Sequence, residues 1–429
     1  MMRVYNKYIL AVLLCVCTDS VLSRRSPNAD EIEEYYVRGP GAGLYSNDLI
    51  EDALLDVPGL ITKYGYPCEV HKVRTEDGYI LEVQRIPYGR DQNNFPDKNK
   101  PVVLVQHGLL SSAADFVLMG PGVGLAYILA EAGFDVWLGN ARGTHYSRNH
   151  ETLDPDVRQD EFWRFSWDEI GNKDLPAMID YALAATGKQR LHYIGHSQGT
   201  TVFFVMGSLR PEYNAKIISM QALAPVAYME YNTNRLFTTL APHADNIETV
   251  ANLLGINELL PNSPLFTKIG STFCSDESIT QPICSNMLFI LAGPGADNHN
   301  ATMLPVKLAH TPAGISVRQL VHYGQHIQKH HFRRYNHGRL ENYRRYRSFT
   351  PPSYDLSKIT SPVFLHYAEV DTFAALEDVD RLFKELGRPI VKARVPMSTF
   401  SHVDFMWGTQ AKTLVYDRAI AYMRSLGNN

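Results

Sequence analysis

Two patterns of apolar and polar positions alternate along most of this chain. Strands are predicted at 101–106, 134–138, 191–194, 216–222, 362–367 and 390–395, and the continuous apolar run at 101–106 is typical of a strand buried on both faces. Runs with helical apolar spacing occur at 123–132, 167–186, 376–386 and 410–425. Pro176 is expected to kink or break the second of these helices. The alternation predicts an α/β fold with a mostly parallel sheet covered by helices on both faces.

This alternation is preceded by a hairpin pattern and interrupted once. Residues 69–75 and 79–87 flank Glu76-Asp77-Gly78, and Asp-Gly between such β-branched runs predicts a hairpin. From 228 to 352 the pattern is mainly helical, irregular and rich in Asn, Pro, His and aromatic residues. We therefore expect a core formed by 57–227 and 353–429, with 228–352 inserted as a cap or lid over the active site.

The N-terminus has the pattern of a secretory signal peptide at residues 1–23. Arg3 and Lys7 precede an apolar run at 9–17, and a small-residue cleavage site follows. An N-terminal anchor is the alternative, although the run is short for a bilayer. Residues 24–56 are polar and are predicted to be poorly ordered. No later stretch reaches the ~18 apolar residues of a membrane-spanning helix. We expect a secreted protein, with a lysosomal location as the alternative.

Composition changes this picture only in detail. With 429 residues, 45% hydrophobic and 20% charged, the chain suits a globular protein with a sizeable core, and its net charge of −4 gives no reason to expect a nucleic-acid partner. Two of the five cysteines would leave with the signal peptide. In an oxidising compartment we expect Cys274 and Cys284 to form a disulfide, which leaves Cys68 free. Asn300 begins an N-glycosylation sequon.

The segment Gly195-His196-Ser197-Gln198-Gly199 carries the strongest chemical signal. It stands between an apolar strand pattern and a helical one, as the G-x-S-x-G nucleophile elbow does. The two glycines remove side chains that would clash in a sharp turn, and the turn exposes the Ser197 hydroxyl. Ser197 is therefore the candidate nucleophile.

A serine nucleophile needs a histidine base and a carboxylate that orients it. Asp371 and His402 follow Ser197 in the chain order of α/β-hydrolases, and each lies just beyond a predicted strand. The alternatives are a helix N-cap role for Asp371 and an ordinary loop position for His402. Asp378 and Asp380 are rival carboxylates, but both fall inside a predicted helix.

Two further groups of residues follow from position. The backbone N–H groups of Gln198 and Leu109 are the candidate oxyanion donors, since one follows the nucleophile and the other lies in the Gly108 turn after an earlier strand. A cluster of histidines could instead suggest a metal site: His322, His326, His330 and His331. Because no Cys or carboxylate completes a ligand set nearby, we predict a solvated basic face and no metal.

Together these motifs resemble the acid lipase family of α/β-hydrolases, which includes gastric and lysosomal lipases. The resemblance rests on segments at 64–67, 76–79, 106–110, 135–143, 167–169, 191–201, 222–227 and 401–404. It implies an α/β-hydrolase fold with a cap, no cofactor, and the same triad and oxyanion residues. The region 274–289 looks like the family's lid and disulfide region.

The resemblance also implies an enzyme that hydrolyses esters of neutral lipids, such as triacylglycerols, at a lipid–water interface. A cholesteryl-ester or small-ester hydrolase remains an alternative, because pocket shape rather than the triad decides between them. A non-catalytic lipid-binding protein on the same fold is a further alternative. It is disfavoured because Ser197, Asp371 and His402 are all present.

Overall fold

The computed structural model describes residues 46–261, 298 and 300–427, and a large twisted sheet lies at its centre. The described strands are β1 (Glu69–Arg74), β2 (Ile80–Ile86), β3 (Val102–Gln106), β4 (Asp135–Gly139), β5 (Leu191–His196), β6 (Ile217–Leu223), β7 (Glu258–Leu259), β8 (Ile315–Ser316), β9 (Val363–Tyr367) and β10 (Pro389–Arg394). Eight of them form one sheet in the order β1-β2-β4-β3-β5-β6-β9-β10. Within this eight-stranded sheet, the described pairs β1–β2 and β2–β4 are antiparallel and the other five are parallel. The prediction of a mostly parallel sheet is therefore confirmed.

Helices occupy most of the connections between these strands. Those described are α1 (Asn47–Leu54), α2 (Val57–Lys63), α3 (Leu125–Glu131), α4 (Gln159–Phe162), α5 (Trp167–Glu169), α6 (Leu175–Thr186), α7 (Gln198–Leu209), α8 (Arg235–Leu240), α9 (Ala244–Leu253), α10 (Leu304–His310), α11 (Val317–Lys329), α12 (Arg339–Tyr346), α13 (Leu376–Glu385), α14 (Asp404–Trp407) and α15 (Asp417–Ser425). The long helix predicted at 167–186 is interrupted by a π-helical segment, Ile170–Asp174, just before Pro176.

The sheet separates two apolar layers. Along β3, Val102 and Leu104 face one layer while Val103 and Val105 face the other, as strand alternation requires. All five residues of β3 are buried, which explains its continuous apolar run. This arrangement places the carboxyl ends of the parallel strands at one edge, where their connections can form a site.

The predicted cap region contains α8 to α12 and the short antiparallel ladder of β7 with β8. The ladder joins Glu258 and Leu259 to Ser316 and Ile315. Cys274 and Cys284 lie outside the described residues, as does the predicted signal peptide at 1–23. Asn300 is exposed. Among the described helices, none has the length and apolar character needed to cross a membrane.

Part of the segment predicted to be poorly ordered is helical. Ser46 caps α1 by accepting a hydrogen bond from the Leu49 N–H at 3.4 Å. The Asp52 carboxylate accepts from the Tyr64 hydroxyl at 2.6 Å and from Lys63 at 2.9 Å. Contacts with Lys63 at the end of α2 and with Tyr64, which follows it, therefore hold residues 47–54 in a helix. The prediction of poor order, made from polar composition, was wrong for these residues.

Candidate active site

Ser197 forms the turn between β5 and α7 by itself. Its backbone has φ 52° and ψ −117°, a region that a side-chain-bearing residue rarely adopts. A Cβ on Gly195 would lie 2.6 Å from the Gly199 backbone, and a Cβ on Gly199 would overlap the carbonyl of Gln106. Both glycines of the motif are thus required by close backbone approach. Ser197 is partly exposed, although its neighbours are buried.

Three side chains predicted from the sequence lie in one chain of hydrogen bonds. The Ser197 Oγ is 2.7 Å from His402 Nε2. The other ring nitrogen, Nδ1, lies 2.9 and 2.8 Å from the two carboxylate oxygens of Asp371. The three residues come from the connections after β5, β9 and β10, so the common strand edge brings them together.

Asp371 is placed to remain a carboxylate. Burial would raise its pKa, but the charge of His402 and hydrogen bonds from His402, Ala374 and Phe373 outweigh burial and lower the pKa below its usual value. Oδ1 accepts the backbone N–H groups of Phe373 at 2.8 Å and Ala374 at 2.9 Å. Since a carboxylate can only accept, Nδ1 of His402 must donate. Nε2 is then free to accept the Ser197 hydroxyl proton.

The loop after β3 lies directly against the elbow. A Cβ on Gly108 would be 3.1 Å from the Cβ of Ser197 and 3.3 Å from Nδ1 of His196. Leu110 has a positive φ of 64°, and its carbonyl accepts the N–H of Ala313 from the cap region at 2.9 Å. No described residue accepts a hydrogen bond from the N–H of Leu109 or of Gln198. Both predicted donors are therefore available to a ligand.

Comparison with known proteins places this site in a family. An α/β hydrolase fold model matches residues 101–247, and a partial α/β-hydrolase lipase region matches residues 57–120. Lipase 1 of Drosophila melanogaster is 42% identical over 89% of this chain and 82% of its own length. The chain belongs to the acid lipase family. Gastric triacylglycerol lipase of Bos taurus is 39% identical over 87% of this chain and 92% of its own.

Two further comparisons agree with this membership. The lysosomal acid lipase/cholesteryl ester hydrolase of Homo sapiens is 37% identical over 86% of this chain and 91% of its own length. A solved structure from Sulfolobus solfataricus matches with a TM-score of 0.55 at 14% identity, covering 83% of this chain and 94% of that one. The structural match supports the α/β-hydrolase fold.

Of the three candidate carboxylates, the structure places only Asp371 within hydrogen-bond distance of His402. Asp378 accepts the backbone N–H groups of Glu230 and Tyr231 at 3.2 and 2.9 Å. Asp380 pairs with Lys392 on the surface. Both lie on α13, as predicted, and neither is hydrogen-bonded to His402.

Three residues at the site were not identified from the sequence. His107 accepts the Ala141 N–H through Nε2 at 3.1 Å, and its Nδ1 lies 2.8 Å from the Gly108 carbonyl. Burial lowers the pKa of His107 to about 4, so the ring is neutral and joins the loop after β3 to the residues after β4. The ring of Phe373 packs 4.7 Å from that of His402. His196 contacts the His402 backbone. His107 and His196 lie within the recognised motifs, next to Gly108 and Ser197. Their position beside those residues was the sequence signal that could have identified them.

The prediction of a solvated basic face was wrong for two of the four clustered histidines. His322 and His326 are buried, at 0% and 2% exposure, and do not form a solvated face. The His322 ring stacks on Trp167 with centroids 3.5 Å apart, and the carbonyl of Arg333 accepts from both histidines. His330 and His331 are exposed, as predicted. Among the described residues no group of three or more His, Cys, Asp or Glu side chains could hold a metal ion.

Proposed function

We propose that this chain is a serine lipase that hydrolyses carboxylic esters of neutral lipids, with triacylglycerols as its main substrates. The observation that carries the proposal is the continuous hydrogen-bond chain from Ser197 through His402 to Asp371, in a member of the acid lipase family. This series of hydrogen bonds is the arrangement that activates a serine hydroxyl for acyl transfer.

The reaction follows from the geometry of the three side chains. Ser197 Oγ attacks the ester carbonyl carbon while His402 Nε2 takes the hydroxyl proton. The buried carboxylate of Asp371 stabilises the resulting imidazolium. The N–H groups of Leu109 and Gln198 donate to the negative oxygen of the tetrahedral intermediate. His402 then protonates the leaving alcohol, and water attacks the acyl-enzyme by the same route to release the fatty acid. These steps require no cofactor.

Substrate class and location come from relatives. The bovine relative is named a gastric triacylglycerol lipase and the human one a lysosomal acid lipase/cholesteryl ester hydrolase. We take the first as the model for the substrate and a secreted location, and the second as the alternative for both. A glycan on exposed Asn300 and a disulfide between Cys274 and Cys284 remain predictions that fit either location.

The deciding experiment compares the wild type with Ser197→Ala on emulsified triacylglycerol, a cholesteryl ester and a short soluble ester. We expect the wild type to release fatty acid from triacylglycerol, and the variant to lose activity by about 10³-fold or more on every substrate. Thermal unfolding of both proteins provides the control for folding. A folded variant that keeps its activity would refute Ser197 as nucleophile.

The pattern of substrates separates the alternatives. Activity mainly on the sterol ester or the short ester, lost in Ser197→Ala, would keep the mechanism and change the substrate. A folded wild type that hydrolyses none of the three, and that an active-site serine phosphonate fails to label, would favour the non-catalytic lipid-binding protein.

A further inference from the structure

The residue before the nucleophile contacts the residue that serves as its base. Nε2 of His196 lies 2.9 Å from the backbone carbonyl oxygen of His402. Both residues are 5% exposed, so water competes little for this contact. The centroids of the two imidazole rings are 5.1 Å apart, and the ring centroid of Phe405 lies 6.4 Å from that of His196.

The protonation state of His196 is settled by its surroundings. A carbonyl oxygen can only accept, so Nε2 of His196 carries the hydrogen. Burial, and next the proximity of His402, lower the pKa of His196 to about 3, which leaves the ring neutral. Nδ1 has no hydrogen-bond partner among the described residues. A neutral ring also avoids placing a second positive charge beside His402 when His402 accepts the serine proton.

The His402 turn is also held by bonds between its own residues and by Asn298, whose side-chain amide donates to the Asp404 carboxylate at 3.3 Å. The Ser401 N–H donates to the Asp404 carboxylate at 2.6 Å, and the Asp404 N–H donates to the Ser401 carbonyl at 3.2 Å. These two bonds shape the turn but do not connect its backbone to the nucleophile strand. The hydrogen bond from His196 makes that connection.

We propose that His196 is a positioning residue that fixes the base relative to the nucleophile by holding the His402 backbone carbonyl. The dipeptide His196-Ser197 then touches His402 on two sides, at its carbonyl and at Nε2 of its ring. Because both contacts start from adjacent residues of one rigid elbow, the distance from Ser197 Oγ to His402 Nε2 is set locally. This inference rests on the proposed serine-hydrolase mechanism.

The test exchanges the donor while keeping the size of the side chain. His196→Met has no donor, whereas His196→Gln is of similar length and keeps an N–H near the position of Nε2. His192→Met is the matched control, because His192 is a buried histidine of the same strand whose Nδ1 lies 2.8 Å from the Ser219 hydroxyl, away from the triad. We would measure kcat and KM on a soluble ester and the rate of phosphonate labelling at Ser197.

We expect His196→Met to lower kcat and the labelling rate by about 10- to 100-fold with KM little changed, since a misplaced catalytic group is costly. His196→Gln should recover most of the loss, and His192→Met should match the wild type. A folded His196→Met variant with wild-type kcat would overturn the proposal. So would a folded glutamine variant as impaired as the methionine variant.

A second measurement needs no substitution at His196. Imidazole ¹⁵N spectra of the full chain, compared between wild type and the Ser197→Ala protein, report which ring nitrogen of each histidine carries hydrogen. A neutral Nε2–H form of His196 supports the proposal, and a neutral Nδ1–H form, which could not donate to the His402 carbonyl, overturns it. If the wild type hydrolyses no ester, the proposed function fails, whereas activity with an unaffected methionine variant removes only the role of His196.

Discussion

His402 and His322 are both buried and each contacts a serine hydroxyl, but of these two only His402 lies in a setting suited to catalysis. His402 Nε2 lies 2.7 Å from Ser197 Oγ, and its Nδ1 donates to the carboxylate of Asp371. In the other pair, His322 Nδ1 lies 3.1 Å from Ser166 Oγ, and its Nε2 donates to the Arg333 carbonyl at 3.0 Å. Each ring thus lies between a serine hydroxyl and an oxygen acceptor, with the roles of the two ring nitrogens exchanged, although the Ser166 hydroxyl also contacts the Glu169 carboxylate at 3.2 Å.

The difference between the two pairs lies in charge and access. His402 faces a carboxylate that can stabilise an imidazolium, whereas His322 faces a neutral carbonyl. Burial, and then the neighbouring His326, lower the pKa of His322 far below the usual value, so this ring cannot accept a proton near neutral pH. Ser166 is 1% exposed and caps α5, while Ser197 is partly exposed on a strained turn. A serine–histidine contact alone therefore does not identify a catalytic site.

The largest effect is expected from changing the Asp371 carboxylate, which His322 lacks. In Asp371→Asn the amide oxygen should keep the Oδ1 position, because Phe373 and Ala374 donate there. The amide NH₂ would then face Nδ1 of His402 and force that nitrogen to accept. Nε2 would carry the hydrogen and could not take the Ser197 proton. We expect kcat on a soluble ester to fall by about 10⁴-fold with the fold retained.

Asp380→Asn is the control for this change. Asp380 was a rival carboxylate in the sequence, and it pairs with Lys392 on an exposed face. Its kcat should equal that of the wild type, since surface ion pairs contribute little. An Asp371→Asn protein with near wild-type kcat would mean that the carboxylate beside His402 is not what makes His402, unlike His322, able to act as a base.

Protonation of His326, which lies next to His322, should destabilise the fold. Burial lowers the pKa of His326 to about 4, against about 6.5 in an unfolded chain. Because the unfolded state binds the proton more tightly, stability falls as pH falls from about 6.5 to about 4. The contribution of this one group over that range is about 2 to 3 kcal/mol.

The measurement is urea unfolding of wild type and His326→Gln across this pH range. Glutamine can still donate to the Arg333 carbonyl but does not titrate, so the variant should lose less stability on acidification. Groups that do not interact with His326 titrate equally in both proteins and cancel in the difference. Parallel pH curves for the two proteins would contradict a neutral, buried His326.

The contrast also shows what the sequence could and could not predict. The elbow, the strands and the order of the triad leave local signals: paired glycines, continuous apolar runs, and polar residues just past strand ends. Asp371 could be separated from Asp378 because the latter falls within a helical pattern. These predictions depend on neighbours in the chain, and the structure brings the named side chains together.

The errors arose where partners are distant in the chain. His322 and His326 lie beside basic residues, so their spacing indicated a solvated face, whereas Trp167 from the core buries them. Similarly, α1 has a polar sequence, but Ile50 and Ala53 are buried and Asp52 is bonded to Tyr64. The hydrogen bond from His196 to His402 joins motifs that were recognised separately, and no spacing rule connects them.

The smallest expected effect concerns the second serine. Ser166 Oγ accepts the Asp168 N–H at 3.1 Å within a capping box that includes Glu169. Ser166→Ala removes this cap and the contact with His322, so the free energy of unfolding should fall by about 1 kcal/mol. At temperatures below both melting points kcat should be unchanged, in contrast to Ser197→Ala. A loss of kcat as large as that of Ser197→Ala would mean that the Ser166–His322 pair takes part in the reaction. Charge and solvent access would then not be what distinguishes the two histidines.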